Sequence, residues 1–174
     1  MYEPLRAVTE SEGASTTYHL GSFEEFFGSE RDELFATLCL VTRDRHEAEE
    51  LTQEAFVRVL ERWERVSGLE NPRGYLYRTA MNVFRSRYRR TLVAAKRALR
   101  ITPPDDGIVE VEERDTAMRA LAPLSPRQRA AVVLTDLLGF PSDEAARMLG
   151  IRASTLRMHA SRAHAALRKG MSHE

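Results

Sequence analysis

Leu124-Ser125-Pro126-Arg127-Gln128, then Leu149-Gly150-Ile151 and Ser154-Thr155-Leu156-Arg157, are the stretches that decide the fold of this chain. Ser125 is a good helix N-cap and Pro126 suits the first helical position, where its missing N–H costs nothing. Gln128 stands where a capping box needs it. The spacing predicts a helix to Leu138, stopped at Gly139. Ser142-Asp143-Glu144 starts a shorter helix through Leu149, with acids in the first turn, where the helix dipole favours them. Gly150 makes the turn, Ile151 points inward, and Ser154-Thr155 begins a last helix. On that helix Leu156, Ala160, Ala163 and Leu167 form a packed stripe. Arg157, Met158, Ser161, Arg162, His164 and Arg168 are left outward. This is a helix-turn-helix with a basic second helix, whose early residues would enter a major groove.

Working outward, charge is the next clue. The chain has 26 basic and 26 acidic residues, so its positive charge is segregated rather than abundant. Asn71 to Thr102 holds nine Lys or Arg and no acid, and Gly150 to His173 is again free of acids. Phosphates attract Lys and Arg without regard to sequence, so two basic surfaces on a neutral chain point to two contacts with nucleic acid.

The first basic block reads as a helix from about Tyr75 to Arg90, after the stop-and-start signal Asn71-Pro72. At 100° per residue, Arg78, Asn82, Arg85 and Arg89 line one face. Leu76, Tyr77, Ala80, Met81, Val83 and Phe84 line the other. Arg87 projects onto the apolar side, where only a snorkelling stem accounts for it. Arginine holds phosphate, aromatics accept unstacked bases and Asn reads a base edge, a set suited to single-stranded or partly melted DNA.

Upstream, Arg45 to Val66 reads as one long amphipathic helix. Ala48, Leu51, Ala55, Phe56, Val59, Leu60 and Trp63 fall on one side. Glu47, Glu50, Glu54, Arg58 and Glu61 form a stripe on the other, which is either a solvated face or a docking surface for a basic partner helix.

The expected architecture is all-α, with two small helical domains joined by a flexible linker. Residues 1–20 read as a disordered tail, 21–92 as the first domain, 93–116 as an acidic, proline-containing linker and 117–171 as the helix-turn-helix domain. Cys39 is the single cysteine and reads as a core residue in a reducing interior. A secretory signal and a run of about 20 apolar residues are both missing, so a soluble cytoplasmic chain without membrane insertion is expected. Gly-rich phosphate loops and His-Glu-x-x-His are absent, and His159 and His164 do not share a helix face. No catalytic residue, metal site or cofactor is expected.

The order of acidic helix, basic helix, acidic linker and helix-turn-helix resembles a small sigma factor of the extracytoplasmic-function group in the sigma-70 family. Three stretches carry the likeness. Asp44-Arg45-His46-Glu47-Ala48-Glu49-Glu50-Leu51-Thr52-Gln53-Glu54-Ala55-Phe56 is similar to the family's polymerase-binding helix. Gly74-Tyr75-Leu76-Tyr77-Arg78-Thr79-Ala80-Met81-Asn82, followed by Arg89-Arg90, resembles the segment that opens and reads the minus-ten element. The stretches quoted at the start resemble the domain that reads the minus-thirty-five element. Three departures stand out: Ser86 where the family usually has Asp, Tyr75 where it usually has Trp, and His at 159 and 164 where Arg is commoner.

The resemblance implies a factor that binds core RNA polymerase, through the clamp helices of the largest subunit and the flap, and directs promoter-specific initiation. It carries over Glu50, Gln53 and Glu54 as polymerase contacts, to which the acidic stripe adds Glu47 and Glu61. It carries over Asn82 as a minus-ten contact, to which the basic face adds Tyr75, Arg78, Arg85, Arg89 and Arg90, and Arg157 and Arg162 as minus-thirty-five contacts, to which the start and outward side of the last helix add Arg152, Thr155, Met158 and Ser161. An anti-sigma partner is implied as well. The alternative is a stand-alone helix-turn-helix regulator, which needs no polymerase-docking helix. A third reading, a scaffold module, would leave the basic patches incidental.

Overall fold

The computed structural model describes residues 22–98 and 115–171. Those residues are helical throughout, with no strand among them. In chain order the helices are α1 (Phe23–Thr42), α2 (Arg45–Leu60), α3 (Trp63–Val66), α4 (Pro72–Ala98), α5 (Asp115–Ala120), α6 (Pro126–Val132, continued by a π turn Val133–Leu137), α7 (Ser142–Leu149) and α8 (Ala153–Met171). The expected tail and most of the expected linker lie outside the described residues, while 93–98 belong to α4 and 115–116 to α5.

Local signals explain most boundaries. Ser22 caps α1 by accepting from Glu25 N–H, and Asp44 caps α2 by accepting from Glu47 N–H at 2.9 Å. Between them Arg43 takes the left-handed conformation, φ 61°, and its N–H closes on the Cys39 carbonyl at 2.8 Å. The Ser125–Gln128 capping box forms in both directions, with Ser125 N–H donating to Gln128 Oε1 at 2.8 Å. Ser125→Ala should therefore cost about 1 kcal/mol, or roughly 2–4 °C in Tm for a chain of this size, read by thermal circular dichroism. Gly150 caps α7 in the left-handed region, φ 60°, with Ile151 N–H reaching back to the Ala146 carbonyl.

Three expectations need correction. The basic helix begins at Pro72 rather than Tyr75 and runs to Ala98 rather than Arg90. Asn71 is its cap, with Oδ1 accepting from Gly74 N–H at 2.7 Å, so proline at the first helical position starts the helix instead of delaying it. The single helix expected over 45–66 is two. The chain breaks at Glu61-Arg62, where Arg62 leaves helical geometry with φ −125° and ψ 17°. That break carries the Trp63 ring to 5.2 Å from Phe26 and 5.5 Å from Phe23, and leaves Leu60, expected on the packed side, exposed. The helix expected to run regularly to Leu138 widens into a π turn. Leu138 N–H bonds to the Val133 carbonyl, Leu137 is thrown outward at 63% exposure, and Leu138 packs on the core.

The helices form two lobes. In the first, α1 packs on α2 and α2 on α4; in the second, α6 and α7 both pack on α8. Leu34, Leu38, Leu51, Val59, Leu76 and Met81 are fully buried in the first, and Leu134, Leu156 and Ala163 in the second. Each such Leu or Met contributes roughly 1.5–3 kcal/mol of burial. The lobes also touch, α4 against α7 and α1 against α6.

Candidate docking and nucleic-acid interfaces

The acidic face of α2 is where the spacing places it. Glu50, Gln53 and Glu61 are exposed and Glu47 and Glu54 half-buried, while Ala48, Leu51, Ala55, Phe56 and Val59 are buried behind them. Val57 and Leu60 stand exposed among the acids at 54% and 52%, so the face is mixed acidic and apolar. Burial raises the Glu47 carboxyl above its ordinary range, with neighbouring Asp44 adding to it and Arg87 opposing.

Arg87 is the residue for which sequence had no good account. It does not snorkel to water. It crosses from α4 to α2, donating through Nη1 to Glu50 Oε2 and through Nη2 to Glu54 Oε2 at 2.8 Å. Glu54 also accepts from Arg58, four residues on. The signal that finds this role is an acid pair at i, i+4 facing an arginine on the apolar side of the next helix.

On α4 the six apolar residues expected inward are all buried, Tyr77 completely. Burial pushes the Tyr77 phenol up to about 12, so it stays protonated. Arg78, Arg85, Arg89 and Arg90 are exposed and Asn82 is half-buried, so one face carries the cations and the amide together. Half-buried Tyr75 sits at the head of that face. Its hydroxyl accepts from Arg62 at 3.2 Å and Arg65 at 3.5 Å, and the Arg62 bond leads in lowering its pKa. Arg62 in the α2–α3 turn and Arg65 on α3 thus extend the positive surface beyond what sequence singled out. Arg85 is not free: Nη2 donates to Asn82 Oδ1 at 3.3 Å and Nη1 to the Leu149 carbonyl at 2.8 Å, in the other lobe.

On α8, Leu156 and Ala163 are buried and Ala160 and Leu167 half-buried, as the stripe predicts. Arg152, Arg157, Met158, Ser161 and Arg162 are exposed, with Thr155 half-buried at the start of the helix. Burial, with Arg127 and Arg162 nearby, lowers the His159 pKa, so its ring is neutral at neutral pH. His164 bonds to Asp136 Oδ2 across from the π turn. His159 therefore adds little positive charge, and the exposed arginines carry the field of this face. Among the described residues no cluster of His, Cys, Asp or Glu is arranged to hold a metal, and no helix is long and apolar enough to cross a membrane.

Residues 26–92 match the family model described as sigma-70 region 2, and residues 114–167 match sigma-70, region 4. The chain is 30% identical to the RNA polymerase sigma-E factor of Streptomyces coelicolor over 84% of each chain. It belongs to the sigma-70 family, in the extracytoplasmic-function group. It is also 27% identical to the ferric citrate uptake sigma factor FecI of Escherichia coli, over 88% of this chain and 92% of that one. Among solved structures, the sigma factor RpoE from Bartonella quintana, crystallised with the anti-sigma factor NepR, has the same fold. Its TM-score is 0.68 at 22% identity, covering 86% of this chain and 96% of that chain.

As a two-domain sigma factor the chain works with RNA polymerase and directs promoter-specific transcription initiation, and the stand-alone regulator is not favoured. The first lobe is region 2 and the second is region 4.

Proposed function

We propose a division of labour among three faces of this sigma factor. The acidic and apolar face of α2, with Glu47, Glu50, Gln53, Glu54 and Glu61, docks on the clamp helices of the polymerase largest subunit. The face of α4 formed by Tyr75, Arg78, Asn82, Arg85, Arg89 and Arg90 takes the minus-ten strand as it melts. Arg152, Thr155, Arg157, Met158, Ser161 and Arg162 on α8 read the minus-thirty-five duplex in its major groove, with region 4 held near the polymerase flap. The observation that carries this reading is the sorting of side chains: on all three helices an apolar stripe is buried and most of the charged set stays outside. The Arg87 pairs with Glu50 and Glu54 use part of that sorting inside the first lobe, while Gln53 and Glu61 on α2 and Arg157 and Arg162 on α8 stay exposed.

The factor itself makes and breaks no bond, and it acts in the cytoplasm, where polymerase is. An anti-sigma protein holds it in check, the kind of partner with which the Bartonella quintana RpoE was crystallised. Run-off transcription with core polymerase tests the whole reading, because a stand-alone regulator would give no transcript. The α8 assignment has its own test. Arg157→Ala and Arg162→Ala should weaken binding of the holoenzyme to minus-thirty-five duplex by roughly 1–3 kcal/mol for each contact bidentate to a base. Variants that lose affinity equally on every duplex sequence would make these residues phosphate contacts only.

A further inference from the structure

We propose that the Tyr75 hydroxyl gathers Arg62 and Arg65 into a clamp for one backbone phosphate of the melted minus-ten strand. This rests on the assignment of strand reading to the Asn82 face of α4.

Neither arginine stands on α4. Arg62 is where the chain leaves helical geometry after α2, and Arg65 lies three residues on, in α3. The break that seats Trp63 against Phe23 and Phe26 also brings both side chains to the head of α4. There Arg62 Nη1 and Arg65 Nη2 donate to one oxygen, the Tyr75 hydroxyl, at 3.2 and 3.5 Å. The Arg65 guanidinium also stands over the Tyr75 ring, 6.0 Å from its centroid. Tyr75 is fixed in turn by its backbone: its N–H reaches the Asn71 carbonyl, and its own carbonyl accepts from Thr79 Oγ1 at 2.8 Å.

This group is one anion short. Two guanidiniums on one oxygen repel each other, and a phenol supplies lone pairs but no charge to offset them. Glu61 acts on Arg62 through space, yet among the described residues neither arginine is ion-paired with a carboxylate. Both are exposed. Two guanidiniums converging on one point are the donor set a phosphodiester takes, through charge-assisted bonds.

Position ties the clamp to the strand. Asn82 lies seven residues beyond Tyr75, nearly two full turns and about 10.5 Å along α4, so clamp and amide share one side of that helix. The span is about three steps of a strand at 3.4 Å each. A phosphate held at the clamp sets the register in which Asn82 meets a base, since phosphate contacts position and base contacts specify.

The device belongs to this chain and not to its family at large. The family usually has Trp where Tyr75 stands. An indole offers one N–H and no acceptor, so it cannot gather two arginines by hydrogen bonds. Tyr75 is thus a positioning residue, and the arginines make the contact.

The test uses holoenzyme assembled from core polymerase and the full-length chain, with a fluorescent pool of randomised 12-nucleotide single strands. Tyr75→Phe removes the hydroxyl and keeps the ring beneath Arg65. It should weaken binding of the pool roughly tenfold at low salt, what one hydrogen bond to a charged group contributes. The slope of log Kd against log salt should become shallower by about 0.7, the share of one strand phosphate. Tyr75→Trp should do the same. Arg62→Gln with Arg65→Gln should lose at least as much, and adding Tyr75→Phe to that pair should cost less than twofold more. A folded Tyr75→Phe chain with the wild-type slope overturns the proposal, as do losses from tyrosine and arginines that simply multiply. Should circular dichroism find Tyr75→Phe unfolded, the arginine pair carries the test, and an unchanged slope there overturns it. A loss seen on a 20-base-pair mixed duplex but not on single strands overturns it too. Asn82→Ala tests the underlying assignment separately: it should change which sequences are enriched from the pool and keep the slope. If enrichment stays the same while the clamp variants lose slope, the clamp stands and base reading by Asn82 falls.

Discussion

Glu50→Lys combined with Glu54→Lys should abolish binding of this sigma factor to core polymerase in a pull-down. Interface anchors cost roughly 2 kcal/mol or more when lost, about thirtyfold in Kd each, and reversal replaces attraction by repulsion. The geometry adds a complication that a count of exposed acids does not reveal. Both glutamates hold Arg87, so the double reversal puts two lysines against an arginine. These pairs are half open to water, and each is worth about 0.2–1 kcal/mol, with like charges costing a similar amount. Some stability will therefore be lost along with docking. Adding Arg87→Glu restores opposite charges between α2 and α4 and should return Tm towards wild type, while polymerase binding stays lost. Should the triple variant bind core polymerase again, the acids act only by holding α4 in place and the docking role is gone.

Asn82→Ala should leave binding to minus-thirty-five duplex unchanged and reduce open-complex formation by roughly ten- to a hundredfold, the 1–3 kcal/mol that one good base-edge contact carries. A base must leave the stack before a side chain can read it, at a cost of a few kcal/mol, so the defect belongs to melting and not to the first encounter. Permanganate reactivity of minus-ten thymines in the holoenzyme complex separates the two. Arg85→Ala is the less clean variant, because it removes a strand contact and the bond to the Leu149 carbonyl together. Wild-type thymine reactivity with Asn82→Ala would reduce the α4 face to a phosphate-binding surface.

The main helical segments, the Ser125–Gln128 cap and the sign of each exposed face were legible in the residues, because all three follow from spacing within one element. Ser125 and Gln128 cap each other whatever lies around them, and the α8 stripe of Leu156, Ala160, Ala163 and Leu167 turns its arginines outward on any core. The sequence by itself therefore determined an all-helical chain with one acidic and two basic faces, and the order of those faces led to its family. The tertiary structure decided everything that depends on residues far apart in the chain. Glu61-Arg62 carries no breaker residue; the helix stops there so that Trp63 can meet Phe23 and Phe26 of α1, a packing gain that outweighs helix propensity. Arg87 looked misplaced on an apolar side until α2 supplied Glu50 and Glu54. The contact between the lobes left no periodic trace, since the bonds from Arg85 to the Leu149 carbonyl and from Arg129 to the Val41 carbonyl join residues 64 and 88 positions apart and end on backbone groups that every residue possesses. Side-chain patterning marks which face a helix buries, but a bond to a carbonyl can be made to any sequence, so only the assembled lobes reveal which one is taken.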